Sequence, residues 1–181
     1  MKEPHWKTCS EEDVWKFVGW HLARHGIKTM LVGGAVVAIY SKGAYQSGDL
    51  DLITLSYLQK NLTSIMESIG FKKSSGRHYT HPDCKQFIEF LSGPTGIGDD
   101  TNIKPDRFEV EGETLFIYSP TDCIRDRLAS YIHFKARDCL DQAVLVAEQF
   151  PFNRRKVKKW CETEGAPEAY EDLIKKLNKK V

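Results

Sequence analysis

Long apolar runs and excess charge are both missing from this chain of 181 residues. The longest apolar run, near Met30 to Tyr40, is interrupted by two glycines and falls short of the ~20 residues that cross a bilayer. The first six residues are polar and contain no apolar segment of the kind found in signal peptides. These absences exclude an ordinary membrane-spanning helix, and we expect a cytoplasmic protein with no membrane partner.

A regular cysteine pattern is also missing. The five cysteines are odd in number and form no Cys-x-x-Cys pair, which argues against a disulfide framework and for a reducing compartment. Two histidines and a cysteine cluster between His78 and Cys84. Structural zinc needs four ligands, so we interpret that segment as a polar hairpin turn.

The net charge of +1 selects neither nucleic acid nor membrane by itself. The charge is uneven, however, because nine lysines and arginines outnumber five acids from residue 150 onward. A basic tail of this kind is compatible with nucleic-acid contact. The basic segment 154–160 ends in Trp160 and can contact an RNA backbone. The alternative is a solvated helix with Trp160 packed inward.

Hydrophobic periodicity predicts an α+β protein, with a small mixed sheet flanked by helices and a helical C-terminal part. Ser10 and the acids after it are typical of a helix start, and Ser119-Pro120 is typical of another. We place an α/β core at residues 1–118 and a helical region, packed on that core, at 119–181. Strands are expected at 29–32, 50–55, 71–79, 86–91, 107–110 and 114–118, and helices after Ser10 and at 35–40, 57–69, 121–135, 138–149, 153–163 and 167–179.

Two aspartates begin the second predicted strand. On a strand, side chains two residues apart point to the same face, so Asp49 and Asp51 project together while Leu50 and Leu52 point into a core. Asp is disfavoured in strands, and two adjacent carboxylates repel unless a positive group lies between them. A divalent cation is the usual solution; the alternative is an incidental pair of surface aspartates.

Gly33-Gly34 lies at the end of the first strand, upstream of the acid pair. Glycine removes the Cβ that would block a ligand and permits positive φ, and a helix starting there directs free N–H groups at an anion. The alternative is a tight strand-to-helix turn. A third acid, Glu89, is the only charged residue from Phe87 to Leu91. If that strand lies beside the Asp49 strand, three carboxylates meet and can hold two Mg²⁺ ions.

Taken together, these motifs resemble the signature of the DNA polymerase β-like nucleotidyltransferase superfamily. The stretch Leu31-Val32-Gly33-Gly34 is followed, after a spacer, by Ser47-Gly48-Asp49-Leu50-Asp51-Leu52. The spacer and the serine two residues before the first aspartate are most similar to the minimal, AbiEii-like toxin branch. The resemblance covers roughly residues 28 to 148 and implies the nucleotidyltransferase fold.

The resemblance also implies roles for particular residues. It makes Asp49, Asp51 and Glu89 the catalytic acids and the ligands of Mg²⁺, with two ions expected and Mn²⁺ as a substitute. The third acid of the family is usually aspartate, and glutamate reaches further. Gly33, Gly34 and Ser47 would contact phosphates. Arg127 and Lys135, which share a helix face if the helix continues that far, are candidates for phosphate or base contacts.

The implied activity is transfer of a nucleoside monophosphate from a nucleoside triphosphate to an acceptor hydroxyl, with release of pyrophosphate. The acceptor can be an RNA, a protein or a small molecule, and the toxin branch implies an antitoxin partner. One rival is an inactive module with the same fold that binds a nucleotide or a partner without turnover. Another is a plain interaction protein whose aspartate pair is incidental.

Overall fold

The computed structural model describes residues 1–55, 61–93 and 95–179. Every strand among these residues ends before residue 118, and helices alone follow. The helices are α1 (Glu11–Arg24), α2 (Gly34–Tyr40), α3 (Leu62–Ser68), α4 (Pro120–His133), α5 (Arg137–Gln149), α6 (Arg154–Thr163) and α7 (Pro167–Lys179). The strands are β1 (Thr29–Val32), β2 (Asp49–Thr54), β3 (Lys72–Ser75), β4 (His78–Thr80), β5 (Phe87–Leu91), β6 (Asp106–Val110) and β7 (Glu113–Ile117).

The strands of the described residues form one mixed sheet in the order β3-β4-β5-β2-β1-β7-β6. Strand β1 runs antiparallel to β2 and parallel to β7, while β2 runs parallel to β5. The remaining pairs are antiparallel. Strand β2 therefore lies at the centre of the sheet, with its backbone hydrogen-bonded on both sides, and it can hold side chains in a fixed register.

The first helix forms because its local sequence satisfies its N-terminus. The Ser10 hydroxyl accepts a hydrogen bond from the Asp13 backbone N–H, and the Asp13 carboxylate accepts one from the Ser10 backbone N–H, a reciprocal capping box. Val14, Val18 and Leu22 follow at helical spacing and are fully buried. That apolar face packs against β7 and β1, so α1 covers the sheet.

One hydrophobic core joins the sheet to the C-terminal helices. Leu31 of β1 and Leu52 of β2 lie in the same buried cluster as Leu128 of α4, Val157 of α6 and Leu173 of α7. Helix α5 packs against α4, α2 and α7. The C-terminal helices thus share their apolar contacts with the sheet; the division at residue 118 stays a prediction.

The expected α+β fold with a mixed sheet is confirmed, but one strand needs correction. Residues 71–79 were expected to form a single strand. Instead the chain reverses at Gly76, which has a φ of +47°, and the segment becomes the β3–β4 hairpin. The start of the helix expected at 57–69 falls on residues 56–60, outside the described residues, and α3 is its described part. None of the described helices is both long and apolar enough to cross a membrane.

A buried ion cluster attaches the loop before β6 to the C-terminal helices. The Arg125 guanidinium, only 1% exposed, donates to Asp122 at 2.8 Å and to Asp100 of the loop. The Lys156 ammonium donates to the same Asp122 oxygen at 2.8 Å. The Trp160 ring faces Arg125, with 5.5 Å from the guanidinium carbon to the ring centroid, and the Trp160 indole N–H donates to the loop carbonyl of Ile97. Trp160 therefore packs inward.

Removal of the central acid of this cluster should destabilise the fold. We expect Asp122→Ala to lower the free energy of unfolding by about 3–5 kcal/mol, because buried Arg125 would lose its buried partner and keep only the half-exposed Asp100 of the loop. Chemical denaturation followed by circular dichroism measures the change. The control is Asp141→Ala, which removes an exposed partner of Lys176 and should cost under about 1 kcal/mol. Equal losses in the two variants would contradict a structural role for the buried cluster.

Candidate active site

Strand β2 presents two carboxylates on one face. Asp49 and Asp51 are half-buried, while Leu50 and Leu52 are fully buried on the opposite face. The alternation expected for the strand is therefore present. Because β2 is the central strand, the two acids have little freedom to move apart, and their mutual repulsion is built into the fold.

The glycine doublet lies directly against these acids. Val32, the residue before it, pairs with Asp51 in the antiparallel β1–β2 register. Gly33 has a φ of +74°, and a Cβ added there would lie 2.3 Å from an Asp51 carboxylate oxygen. A Cβ added to Gly34 would lie 2.8 Å from the Ser47 hydroxyl oxygen. Only glycine fits the first position, since both its backbone conformation and its close approach exclude a side chain.

Ser47 connects the acid pair to the first helix. Its hydroxyl donates to an Asp49 carboxylate oxygen at 2.9 Å. Its backbone N–H donates to a carboxylate oxygen of Glu11 at 2.8 Å. Glu11 is buried, and this hydrogen bond holds its carboxylate against the loop before β2. The sequence interpretation treated Glu11 only as a helix-start acid and missed this contact, which joins positions 36 residues apart.

Glu89 lies opposite Asp51 in the parallel β2–β5 register. Its carboxylate is already engaged, because Arg77 donates to one oxygen at 2.8 Å and His78 lies 3.5 Å from the other. Within the described ranges, no three acidic, histidine or cysteine side chains are gathered closely enough to hold a metal ion. The structure thus places the three predicted acids on adjacent strands while Glu89 pairs with a cation of the protein itself.

Several carboxylates lie around Asp51. Burial and the neighbouring carboxylates of Asp49, Glu89 and Asp126 raise the pKa of Asp51 to about 7, while Arg127 acts in the opposite direction. Sequence reasoning did not single out Asp126 as part of the site; it comes from α4, far along the chain from β2. A cation bound at this face would relieve the repulsion.

Arg127 reaches the site from α4, whereas Lys135 does not lie on that helix. The Arg127 guanidinium donates to Asp126 through two nitrogens and to the Gln142 side chain of α5 at 3.3 Å. It also influences the pKa of Tyr45, in the loop before β2. Helix α4 ends at His133, and Lys135 has a φ of +57° in the turn that follows. The condition for one shared helix face is therefore not met.

The donor chemistry of the face fits a hard divalent cation. Asp49 and Asp51 supply carboxylate oxygens, the ligands that Mg²⁺ prefers, and burial together with the neighbouring carboxylates disfavours the charged form of Asp51 when no cation is bound. Glu89 would join them only by releasing Arg77. The two aspartates are accordingly the residues that would hold the ion.

Comparisons with known proteins identify the fold. No family model and no curated protein matches the chain. A crystal structure of an antigenic nucleotidyltransferase-like protein from Paracoccidioides brasiliensis matches with a TM-score of 0.60 at 14% identity, over 91% of this chain and 92% of that one. ANT(2")-Ia in complex with adenylyl-2"-tobramycin matches with a TM-score of 0.60 at 12% identity, over 84% and 95%.

A solution structure of the antibiotic-resistance factor ANT(2")-Ia also matches, with a TM-score of 0.53 at 12% identity, over 92% of this chain and 90% of that one. At such identities the likeness concerns the fold alone. The chain has the nucleotidyltransferase-type α+β fold that the resemblance implied. Its assignment to the AbiEii-like branch stays a prediction, as do the roles of the individual site residues.

Loss of the Glu11 carboxylate should loosen the loop that carries Ser47. We expect Glu11→Ala to lower the free energy of unfolding by about 1–3 kcal/mol, because the Ser47 N–H would lose its buried acceptor. The control is Glu12→Ala, which removes only a surface partner of Lys16 and should cost under about 1 kcal/mol. Denaturant titration measures both, and a Glu11 effect no larger than the control would contradict the contact.

Neutralising Asp51 should stabilise the metal-free protein at high pH. The pKa of Asp51 is about 7 in the fold against 3.8 ordinarily, so the folded state binds more protons between these values and its stability falls as the pH rises through them. We expect Asp51→Asn to raise the Tm by at least about 2 °C at pH 8 in EDTA, equivalent to about 1 kcal/mol.

The same gain should shrink as the pH is lowered to 5, where wild-type Asp51 is protonated in the folded protein. Differential scanning fluorimetry at both pH values measures the difference. Asp83→Asn, at an exposed turn position, is the control and should show no gain at pH 8. A Tm difference for Asp51→Asn that is the same at the two pH values would contradict the raised pKa.

Proposed function

We propose that the protein transfers a nucleoside monophosphate from a nucleoside triphosphate to an acceptor hydroxyl. The hydroxyl oxygen forms a bond to the α-phosphorus, and the bond from that phosphorus to the bridging oxygen of the β-phosphate breaks. Pyrophosphate leaves with the bonding electron pair, and the proton of the hydroxyl passes to a carboxylate of the site. The fold supports this class of reaction, because the solved neighbours are nucleotidyltransferase-like.

The observation that carries the proposal is the acid pair pressed against the glycine turn. Asp49 and Asp51 share one face of a central strand. The Gly33 backbone lies so close to Asp51 that a Cβ on residue 33 would be 2.3 Å from its carboxylate oxygen. Negative charge held in this way is useful only if a cation is brought to it. Mg²⁺, or Mn²⁺ in its place, would supply charge neutralisation of the triphosphate when bound.

The other residues of the site then have defined tasks. Asp49 and Asp51 hold the ion, and Ser47 orients Asp49 through its 2.9 Å hydrogen bond. The Gly33-Gly34 backbone leaves room for phosphate oxygens, and Arg127 is the cation that faces the triphosphate from α4. Glu89 is the third acid. It can bind the ion only if its ion pair with Arg77 is broken. Lys135 was expected to contact phosphate or base; because it lies beyond the end of α4, we assign it to the acceptor instead.

A second function is favoured by one specific observation. Because Arg77 already occupies Glu89, a chain of this fold can bind a nucleotide through the acid pair and yet lack the third ligand for turnover. Such a protein would be a nucleotide- or partner-binding module. A toxin role with an antitoxin partner belongs to the same set of proposals, since it follows only from the AbiEii-like resemblance.

Pyrophosphate release separates the two functions. We expect the purified protein with Mg²⁺, labelled triphosphates and total RNA or cell extract to release pyrophosphate, and Asp49→Asn to reduce the rate at least ~100-fold through loss of a charge that acts in the transition state. Asp83→Asn is the matched control and should retain the wild-type rate. Metal-dependent triphosphate binding without pyrophosphate would favour the binding module, and an unchanged rate in Asp49→Asn would overturn the proposed site.

A further inference from the structure

A second surface, rich in lysine and arginine, lies where α4, α5 and α7 meet. Two adjoining hollows of about 340 and 460 Å³ share Tyr131 and Arg137 in their walls. Their basic lining residues, which we call the basic cleft, are Lys135, Arg137, Lys175, Lys176 and Lys179. The lining of these two hollows includes neither Asp49 nor Asp51.

Positive charge exceeds negative charge in this cleft. The five basic residues face two acids of the lining, Glu168 and Asp172, and a third acid, Asp141, accepts a hydrogen bond from Lys176. The Asp172 carboxylate accepts a hydrogen bond from the Tyr131 hydroxyl at 2.9 Å, so part of its charge is used in holding α7 against α4. Exposed basic residues gathered in one concave surface attract a polyanion.

An exposed aromatic ring lies in the turn that carries Lys135, one of the residues of the basic cleft. Phe134 is 81% exposed at the turn between α4 and α5, next in sequence to Lys135. An exposed phenyl ring leaves its face free to stack on another ring. Lysines and arginines beside a free aromatic ring are the combination that binds single-stranded nucleic acid, since the cations contact phosphates and the ring stacks on a base.

The cleft is connected to the acid pair by the helices that form it. Arg127 and Tyr131 lie one turn apart on α4, a rise of ~6 Å. On α5, Arg137 precedes Asp138, which accepts a hydrogen bond from Gln142, the partner of Arg127. Helix α4 therefore contributes one residue to the surroundings of Asp51 and another, one turn later, to the wall of the cleft.

We propose that the basic cleft binds the single-stranded end of an RNA, and that this RNA is the acceptor of the transferred nucleotide. The assignment of the acceptor rests on the proposed function; the binding surface does not. Positive charge here argues against a polycationic acceptor of the aminoglycoside type. The basic segment 154–160 is the poorer RNA surface, because Val157 and Trp160 are buried in the core.

Binding is tested without triphosphate or metal, so that failure of the proposed reaction does not affect the result. Fluorescence anisotropy with a labelled single-stranded RNA of about 12 nucleotides gives the Kd over a range of salt concentrations. We expect Lys175→Glu/Lys179→Glu to weaken binding at least tenfold and to reduce the slope of log affinity against log salt by about 1.4, or 0.7 for each lost phosphate contact.

Two further variants make the result specific. Lys72→Glu/Lys73→Glu changes the net charge by the same amount on the exposed strand β3 and should alter the Kd less than twofold. Phe134→Ala should weaken binding about tenfold with no change in the salt slope, because stacking releases no counterions. Circular dichroism and Tm establish that each variant is folded.

Each outcome bears on one part of the proposal. Equal weakening by the β3 variant, or no effect of Phe134→Ala, would overturn the basic cleft as a nucleic-acid surface and leave general charge attraction. Equal affinity for a DNA of the same sequence, or for polyglutamate, would overturn RNA as the partner. RNA binding at the cleft with no nucleotide added to that RNA would support the surface while overturning its role as the acceptor site.

Discussion

Repulsion between the carboxylates of Asp49 and Asp51, held side by side on the central strand β2, is the physical constraint on which the candidate site depends. Asp49 and Asp51 share one face of β2, and β2 is hydrogen-bonded on both sides. The strand cannot rotate to separate them without exposing Leu50 and Leu52, which are fully buried. The fold thus stores unfavourable electrostatic energy at one place, and a bound cation is the natural means of releasing it.

Some residues around Asp49 and Asp51 allow the two negative charges to lie close together, and others reduce the excess of negative charge. Gly33 permits it by leaving no Cβ in contact with Asp51. Ser47 holds Asp49 in place. Arg77 limits it by pairing with Glu89, and Arg127 limits it by facing Asp51 from α4. The balance of these contacts sets how much negative charge remains at this face of the sheet, and the pairing of Glu89 with Arg77 keeps the third acid engaged.

The C-terminal helices give the acid pair its chemical surroundings as well as its support. Asp126 and Arg127 of helix α4 lie near the acid pair, and Tyr131, one turn later, lines the basic cleft. The same helix therefore borders both surfaces. Helix α7 contributes lysines to the cleft and packs through Leu173 into the core. A change that shifts α4 would alter both surfaces together.

Local sequence was sufficient wherever neighbouring residues decide the outcome. The capping box at Ser10 and the alternation along β2 follow patterns only a few residues long, and the sequence by itself determined the α+β class and the aspartate pair. Only the tertiary structure decided that Glu89 pairs with Arg77, that Glu11 supports Ser47, and that Lys135 lies beyond the end of α4. Those outcomes depend on strand register and helix packing between distant segments, whose energies no local pattern encodes.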